Sequence, residues 1–126
     1  YGVGGLGIHA IQLASKVFGA GKIIAIDISG KKLELARKLG ADEVINALNE
    51  DPVKEIGKYT NGEYAAIVID FVGRKKTIEN GIKCVGKGGK FVLVGIGKEN
   101  IEISPYKTII GKEMEIIGVN DHLKSE

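Results

Sequence analysis

The sequence of 126 residues predicts an α/β fold in which helices cover both faces of a parallel sheet. Two observations support this prediction. Apolar runs of strand length alternate along the chain with segments of helical periodicity. The run at residues 23–26 is continuously apolar, which is typical of a strand that is buried on both faces. The expected fold class is therefore a doubly wound parallel sheet.

Periodicity and capping residues give the boundaries of each element. The first helix, residues 5–18, begins in a glycine-rich turn, and the second, residues 31–39, stops at Gly40. Asp51 caps a third helix, and Pro52 stands in its first turn, where a missing N–H is tolerated. The predicted strands are residues 23–27, 43–46, 65–70, 90–94 and 113–119. The other predictions are a helix at about 75–85, a turn at 95–97, an extended piece at 101–103, a helical turn at 105–110 and a helix start at 120–126.

Five strands are predicted where a six-stranded doubly wound sheet needs one more. In the usual strand order, 3-2-1-4-5-6, the uncounted strand is the central first one, directly before Gly2. The segment 120–126 also resembles a helix that is cut short. We therefore expect residues 1–126 to form one domain of a longer protein, without the first strand of its sheet.

Composition excludes several classes of function. A net charge of +2, with acids and bases interspersed, argues against a nucleic-acid partner. No apolar run approaches the ~20 residues that span a bilayer, so no membrane partner is expected. Cys84 is the single cysteine, so the chain has no internal disulfide and no cysteine cluster for a metal. A cytoplasmic location is expected.

Residues 2–7 read GVGGLG, which is a G-x-G-x-x-G motif. In a dinucleotide site, Gly2 turns the chain sharply and Gly4 lets backbone N–H groups approach the pyrophosphate. Gly7 allows the following helix to lie close to its strand. Any glycine-rich turn can imitate the motif, but here a helix, a buried strand and an acid follow in the required order.

The acid is Asp27, twenty positions after the last glycine of the motif. Its carboxylate is expected to accept hydrogen bonds from the adenosine ribose hydroxyls, and its charge repels a 2′-phosphate. The sequence therefore predicts a Rossmann fold that binds NAD in preference to NADP.

Four segments carry a resemblance to a known family. Residues 2–14 (GVGGLGIHAIQLA), residues 26–27 with 31–42 (ID and KKLELARKLGAD), residues 68–73 (VIDFVG) and residues 88–95 (GGKFVLVG) stand in register along the whole chain. They resemble the coenzyme domain of the medium-chain dehydrogenase/reductase family, especially its zinc-dependent alcohol dehydrogenases. The resemblance implies an NAD-binding domain of an oxidoreductase that transfers a hydride between an alcohol or polyol and NAD.

The resemblance also implies a set of positions that contact the cofactor. They are Gly2, Gly4, Gly5 and Leu6 at the pyrophosphate, Asp27 and Lys32 at the adenosine ribose, Phe71 and Val72 in the cleft between the two halves of the sheet, and Val94, Gly95 and Ile96 under the nicotinamide. Arg74 is expected near the adenine.

Further expectations concern the rest of the protein. No position here matches the family's zinc ligands, which belong to a separate catalytic domain, so neither catalytic nor metal-binding residues are expected in this chain. Zinc would be held in the missing domain, and the substrate would be a small alcohol, aldehyde or ketone. The predicted strand from Glu113 to Val119 resembles the one through which family subunits pair, which implies a homodimer or a tetramer.

Two other functions remain open from the sequence. One is a zinc-free quinone or enoyl reductase that uses NADPH, which Asp27 disfavours because its charge repels the 2′-phosphate. The other is a nucleotide-sensing module without turnover.

Three further residues are expected to have structural roles. Cys84 is expected to be a small buried residue, and His9 to pack against a neighbour or another domain. Asp70 is expected to bind backbone N–H groups rather than act as an acid or base.

Overall fold

The computed structural model describes residues 1–120, and all five predicted strands are present. The helix start predicted at 120–126 lies outside the described residues, apart from Asn120. In chain order the elements are α1 (Gly5–Gln12), β1 (Ile24–Asp27), α2 (Gly30–Leu39), β2 (Glu43–Asn46), α3 (Pro52–Tyr59), β3 (Ala65–Asp70), α4 (Lys75–Cys84), β4 (Val85–Leu93) and β5 (Glu115–Gly118), with π-helical segments at Leu13–Val17 and Pro105–Ile110.

The strands form two parallel groups, β2–β1 and β3–β4–β5. Residues 1 and 2 join the two groups. The Tyr1 nitrogen donates to the Ile69 carbonyl at 2.9 Å, and the Gly2 N–H donates to the Ile26 carbonyl at 2.8 Å. On the β3 side, the Phe71 N–H donates to the Tyr1 carbonyl at 2.9 Å. These bonds lie at the centre of the sheet, where the predicted strand order places a first strand.

Helices cover both faces of the sheet, as the continuous apolar run in β1 predicts. Ala25 belongs to an apolar cluster with Ile11 of α1 and Leu33 of α2. The next residue, Ile26, points to the opposite face, because side chains alternate along a strand. It packs in a second cluster whose most buried members include Phe91 of β4. The doubly wound parallel fold is confirmed.

Two boundaries differ from the prediction. The single helix predicted at 5–18 is an α-helix only to Gln12, and the Phe18 N–H then reaches back five residues to the Leu13 carbonyl. The strand predicted at 90–94 already begins at Val85, because α4 runs directly into β4. The first part of β4 contains three glycines, so it lacks the apolar pattern by which a strand is predicted. At Gly89 they let β4 lie close to the backbone of β3, since a Cβ there would lie 2.8 Å from the Ala66 carbonyl oxygen.

The predicted caps are confirmed. The Asp51 carboxylate accepts from the Val53 N–H at 3.0 Å and from the Lys54 N–H at 3.5 Å, at the start of α3. Gly40 ends α2 with a φ of 127°, a conformation that favours glycine. Because all strands are parallel, their carboxyl ends meet at one edge of the sheet, which also holds the glycine motif.

Candidate dinucleotide-binding site

Two glycines of the motif are required by packing within the protein. Gly2 has a φ of 89°, and a Cβ on it would lie 2.8 Å from Cγ2 of Val72. A Cβ on Gly7 would overlap the carbonyl oxygen of Gly2. A side chain at Gly7 would therefore separate α1 from the turn that precedes it, and one at Gly2 would separate that turn from residues 71 and 72. The roles predicted for Gly2 and Gly7 agree with this geometry.

The other two glycines face open space. A Cβ built on Gly4 or on Gly5 meets no atom within 4 Å. Gly4 is the N-cap of α1 and no side chain caps this helix, whereas Ser29 and Asp51 cap α2 and α3. The first turn of a helix has N–H groups without helical partners, and they attract anions. This open, uncapped turn fits a diphosphate group.

Asp27 lies beside this turn and bonds to it directly. Its Oδ2 accepts the Val3 N–H at 2.7 Å, and its Oδ1 accepts the N–H groups of Ile28 at 2.7 Å and Ser29 at 2.9 Å. A carboxylate has about four acceptor positions. Oδ2 retains capacity for a ligand hydroxyl, while Oδ1 is already shared by two donors. The bond to Val3 was not predicted, because spacing alone does not show which backbone group an acid contacts.

Lys32 stands in the first turn of α2, and its side chain is exposed. Its backbone N–H donates to Oγ of Ser29 at 3.4 Å. Within residues 1–120, the Lys32 ammonium group has no hydrogen bond and no ion pair, so it is free to approach a bound ligand. Its contact with a ribose stays a prediction.

Two loops meet beyond the carboxyl ends of β3 and β4, and we call residues 71–73 and 94–97 the paired loops. They contact through backbone: a Cβ on Gly97 would overlap the Gly73 carbonyl oxygen, and one on Gly95 would overlap Val72 and Gly73. Gly73 has a φ of 78°. The structure thus brings Val72 and Gly95 together beside Gly2. Phe71 is half-buried there, and Ile96 is 92% exposed at the rim.

Asp70 lies beneath the paired loops and is fully buried. Its Oδ1 accepts the N–H groups of Val72 at 2.7 Å and Gly73 at 3.2 Å, and its Oδ2 accepts the Thr77 hydroxyl at 2.8 Å. The interpretation of Asp70 as an acceptor of backbone N–H groups is confirmed.

Arg74 is engaged in an ion pair. Its Nε lies 3.1 Å from Oε1 of Glu99, a partner that the sequence did not reveal because the two residues are 25 positions apart.

A cavity of about 520 Å³ lies nearby at the carboxyl edge of the sheet, and Ile28, Leu48 and Thr77 are among its lining residues. A larger cavity of about 780 Å³ lies at the opposite edge, beside Tyr64 and Gly86, away from the motif.

The remaining sequence candidates have structural roles. Nδ1 of His9 lies 2.8 Å from the Gly5 carbonyl oxygen, within α1. Cys84 is buried, and burial raises the pKa of its thiol to about 11.

Residues 1–120 contain no group of three or more His, Cys, Asp or Glu side chains that could hold a metal ion. None of the helices in this part of the chain is long and apolar enough to cross a membrane.

Fold and glycine motif together define a doubly wound α/β domain of the Rossmann type, and comparison with known proteins specifies its family. The zinc-binding dehydrogenase family profile matches residues 5–121, so the chain belongs to the zinc-binding dehydrogenase family. An alcohol dehydrogenase of Geobacillus stearothermophilus is 42% identical over 87% of this chain and 31% of its own length. An NAD-dependent alcohol dehydrogenase of Sulfurisphaera tokodaii is 36% identical over 92% of this chain and 36% of its own length.

A solved structure shows the same fold. The alcohol dehydrogenase of the hyperthermophilic archaeon Aeropyrum pernix superimposes with a TM-score of 0.86 at 38% identity, covering 93% of this chain and 33% of that one. The chain therefore spans about a third of the length of the relatives that it matches.

Proposed function

We propose that this chain is the NAD-binding domain of an oxidoreductase that transfers a hydride between an alcohol or polyol and NAD. The observation that carries the proposal is the open first turn of α1, where Gly4 and Gly5 leave room for a diphosphate directly beside Asp27. Membership of the zinc-binding dehydrogenase family and the names of the relatives support the reaction class.

Each part of the site has a defined task in this proposal. The first-turn N–H groups of α1 bind the pyrophosphate, and Leu6 covers it. Asp27 accepts a ribose hydroxyl through Oδ2, and Lys32 approaches the same sugar. The adenine enters the cavity beside Ile28, with Arg74 near it.

The nicotinamide lies against the paired loops in this proposal. Phe71 and Val72 line the cleft, and Val94, Gly95 and Ile96 run under the ring. NAD supplies the hydride acceptor when bound. The protein residues orient the ring and exclude water from it.

The zinc that the family name implies does not fit residues 1–120, which offer no group of three or more ligands. We place zinc, the substrate pocket and catalysis in a further domain of the same protein, so residues 1–126 alone would bind cofactor at most. A cytoplasmic location belongs to the same proposal, supported by the single, unpaired Cys84.

NADH titration of the full-length gene product tests the cofactor site, with fluorescence as the readout. Gly4→Ala adds a methyl group that meets no protein atom, so the fold should be retained. We expect the Kd for NADH to rise about tenfold or more, because the methyl group occupies space needed by the pyrophosphate. The matched control is Gly21→Ala, before β1, whose Cβ also meets no atom within 4 Å. Equal NADH affinity for both variants and the unmodified protein would refute the placement of the pyrophosphate.

Cofactor preference tests Asp27. Asp27→Asn removes the charge but keeps the size of the side chain, so the affinity for NADPH relative to NADH should rise by about tenfold. An unchanged ratio would show that Asp27 does not face the ribose. The same ratio in the unmodified protein decides against the NADPH-dependent reductase if NADH binds more tightly.

We also propose that two copies of the chain pair through β5. Within residues 1–120, β5 pairs with β4 alone, and Ile116 is 40% exposed. The Val119 N–H points to β4, so by alternation the Ile116 N–H points outward. Ile116→Pro should therefore convert a dimer into a monomer in sedimentation experiments, whereas Ile116→Thr, which keeps the N–H, should not. A dimer that survives Ile116→Pro would exclude this edge.

A further inference from the structure

Asp70 collects more hydrogen bonds than its predicted role requires. Besides the three donors to its carboxylate, its own backbone carbonyl accepts the N–H groups of Val94 and Gly95, each at 2.9 Å. Five donors therefore converge on the oxygens of one fully buried residue. The carboxylate bonds one of the paired loops, and the carbonyl bonds the other.

Two of the donors to the carboxylate are backbone N–H groups, and the third is the Thr77 hydroxyl. The ion pairs found within residues 1–120 do not include Asp70, and its carboxylate is bonded directly by these N–H and O–H groups. An ionised carboxylate can accept at every position, whereas an amide side chain turns one of its ends into a donor. Replacing the carboxylate by an amide therefore removes the charge and one acceptor end from this arrangement, while the Thr77 hydroxyl also lies 3.0 Å from the Arg74 carbonyl oxygen.

The paired loops are in direct backbone contact with each other. No side chain separates Gly73 from Gly95 or Gly97, because their backbones are in contact. The carboxylate bonds the Val72 and Gly73 N–H groups, so we expect a change at Asp70 to alter the packing of residues 94–97 as well. Within residues 1–120, no hydrogen bond joins Asp27 or Gly4 to the paired loops, although Gly2 packs against Val72.

We infer that Asp70 is a positioning residue which sets both paired loops against the nicotinamide half of the dinucleotide, and thereby determines how tightly that half is held. This inference rests on the proposed function, in which the paired loops line the nicotinamide side of the cleft. Asp70 touches no ligand itself and acts through Val72, Val94 and Gly95.

The test compares two ligands on the full-length gene product. NADH contains both halves of the dinucleotide, whereas ADP-ribose lacks the nicotinamide. In Asp70→Asn we expect the Kd for NADH to rise about tenfold, as for the loss of one hydrogen bond to a charged group, and the Kd for ADP-ribose to change by less than about twofold. A general loss of structure would weaken both ligands alike, and that result would overturn the inference. Unchanged NADH binding would overturn it too.

A milder pair of variants keeps the test decisive if Asp70→Asn does not fold. Thr77→Val has nearly the same shape but removes the hydroxyl that bonds Asp70 and the Arg74 backbone, and Thr77→Ser keeps that hydroxyl. We expect Thr77→Val to weaken NADH about threefold without affecting ADP-ribose, and Thr77→Ser to recover NADH affinity. Equal effects of both substitutions, or a parallel loss of ADP-ribose, would contradict a positioning role.

Asp42→Asn is the matched control. Its Oδ2 accepts the Ile23 N–H at 2.7 Å, but it lies at the amino end of β1, away from the paired loops. Neither ligand should change affinity in this variant, and a selective loss of NADH there would refute the assignment to Asp70. Failure of the unmodified protein to bind ADP-ribose or NADH would instead refute the proposed function.

Discussion

Asp27 and Asp70 occupy equivalent places in the two halves of the sheet, yet their surroundings differ. Each ends a parallel strand and accepts N–H groups from the loop that follows. Asp27 is partly exposed and lies beside a helix turn with open space, whereas Asp70 is fully buried beneath two loops whose backbones touch. The half of the sheet that holds Asp27 is open and leaves room for a ligand. The half that holds Asp70 is closely packed.

The comparison separates two uses of glycine. At Gly4 and Gly5 the missing side chain leaves space that no protein atom fills. At Gly73, Gly95 and Gly97 it allows backbone to contact backbone. Glycine content alone does not distinguish these cases, because both require the absence of a Cβ. Substitution by alanine distinguishes the two cases, since only at Gly73, Gly95 and Gly97 is it expected to lower the free energy of unfolding.

The largest expected effect concerns the two acids. Asp70→Ala leaves the buried N–H groups of Val72 and Gly73 without their acceptor, so the free energy of unfolding should fall by about 3 kcal/mol. Asp27→Ala should lower it by only about 1 kcal/mol, because water can replace the partly exposed carboxylate. Urea denaturation measures both. Equal losses would remove the distinction between the packed and the open half.

A smaller difference is expected between two glycines. Gly97→Ala forces a Cβ onto the Gly73 carbonyl oxygen and should destabilise the protein by about 2 kcal/mol through overpacking. Gly5→Ala meets no atom within 4 Å and should change the free energy of unfolding by less than about 0.5 kcal/mol. Thermal unfolding of the two variants gives the comparison. A destabilised Gly5→Ala would show that the turn of α1 is not open.

The last prediction concerns Cys84, at the end of α4 beneath the half of the sheet that holds Asp70. Near neutral pH its raised pKa has the smallest expected effect on stability, so the prediction is made for its rate of alkylation. Burial raises the pKa of its thiol from 9.0 to about 11, so at pH 9 about fiftyfold less thiolate forms in the folded protein than in the unfolded chain. Iodoacetamide should therefore alkylate Cys84 at least that much more slowly before urea is added than after.

The sign of the pH dependence follows from the raised pKa of Cys84. The stabilising contribution is fully present below about pH 9 and is lost as the pH rises through about 11. Rapid alkylation of the folded protein at pH 9 would show that Cys84 is accessible to solvent, and thus that the half of the sheet that holds Asp70 is not closely packed.

Sequence patterns predicted the parts of the site that lie close together along the chain. The helix after the glycine turn, the strand ending at Asp27 and the cap at Asp51 follow from local periodicity and capping chemistry, and all are present. The π-helical end of the first helix was missed because helical spacing of apolar residues does not distinguish π from α turns. The early start of β4 was missed because glycines carry no apolar side chain.

By itself, the sequence determined the parallel α/β architecture and which strand ends carry carboxylates, since burial and helix capping act on neighbouring residues. Only the tertiary structure decided that Val3 donates to Asp27, that Arg74 pairs with Glu99, and that Gly97 touches Gly73. These contacts join residues 24 or 25 positions apart, and their geometry depends on how the strands and loops are arranged in space. For the same reason, two similar acids became an accessible acceptor and a buried anchor.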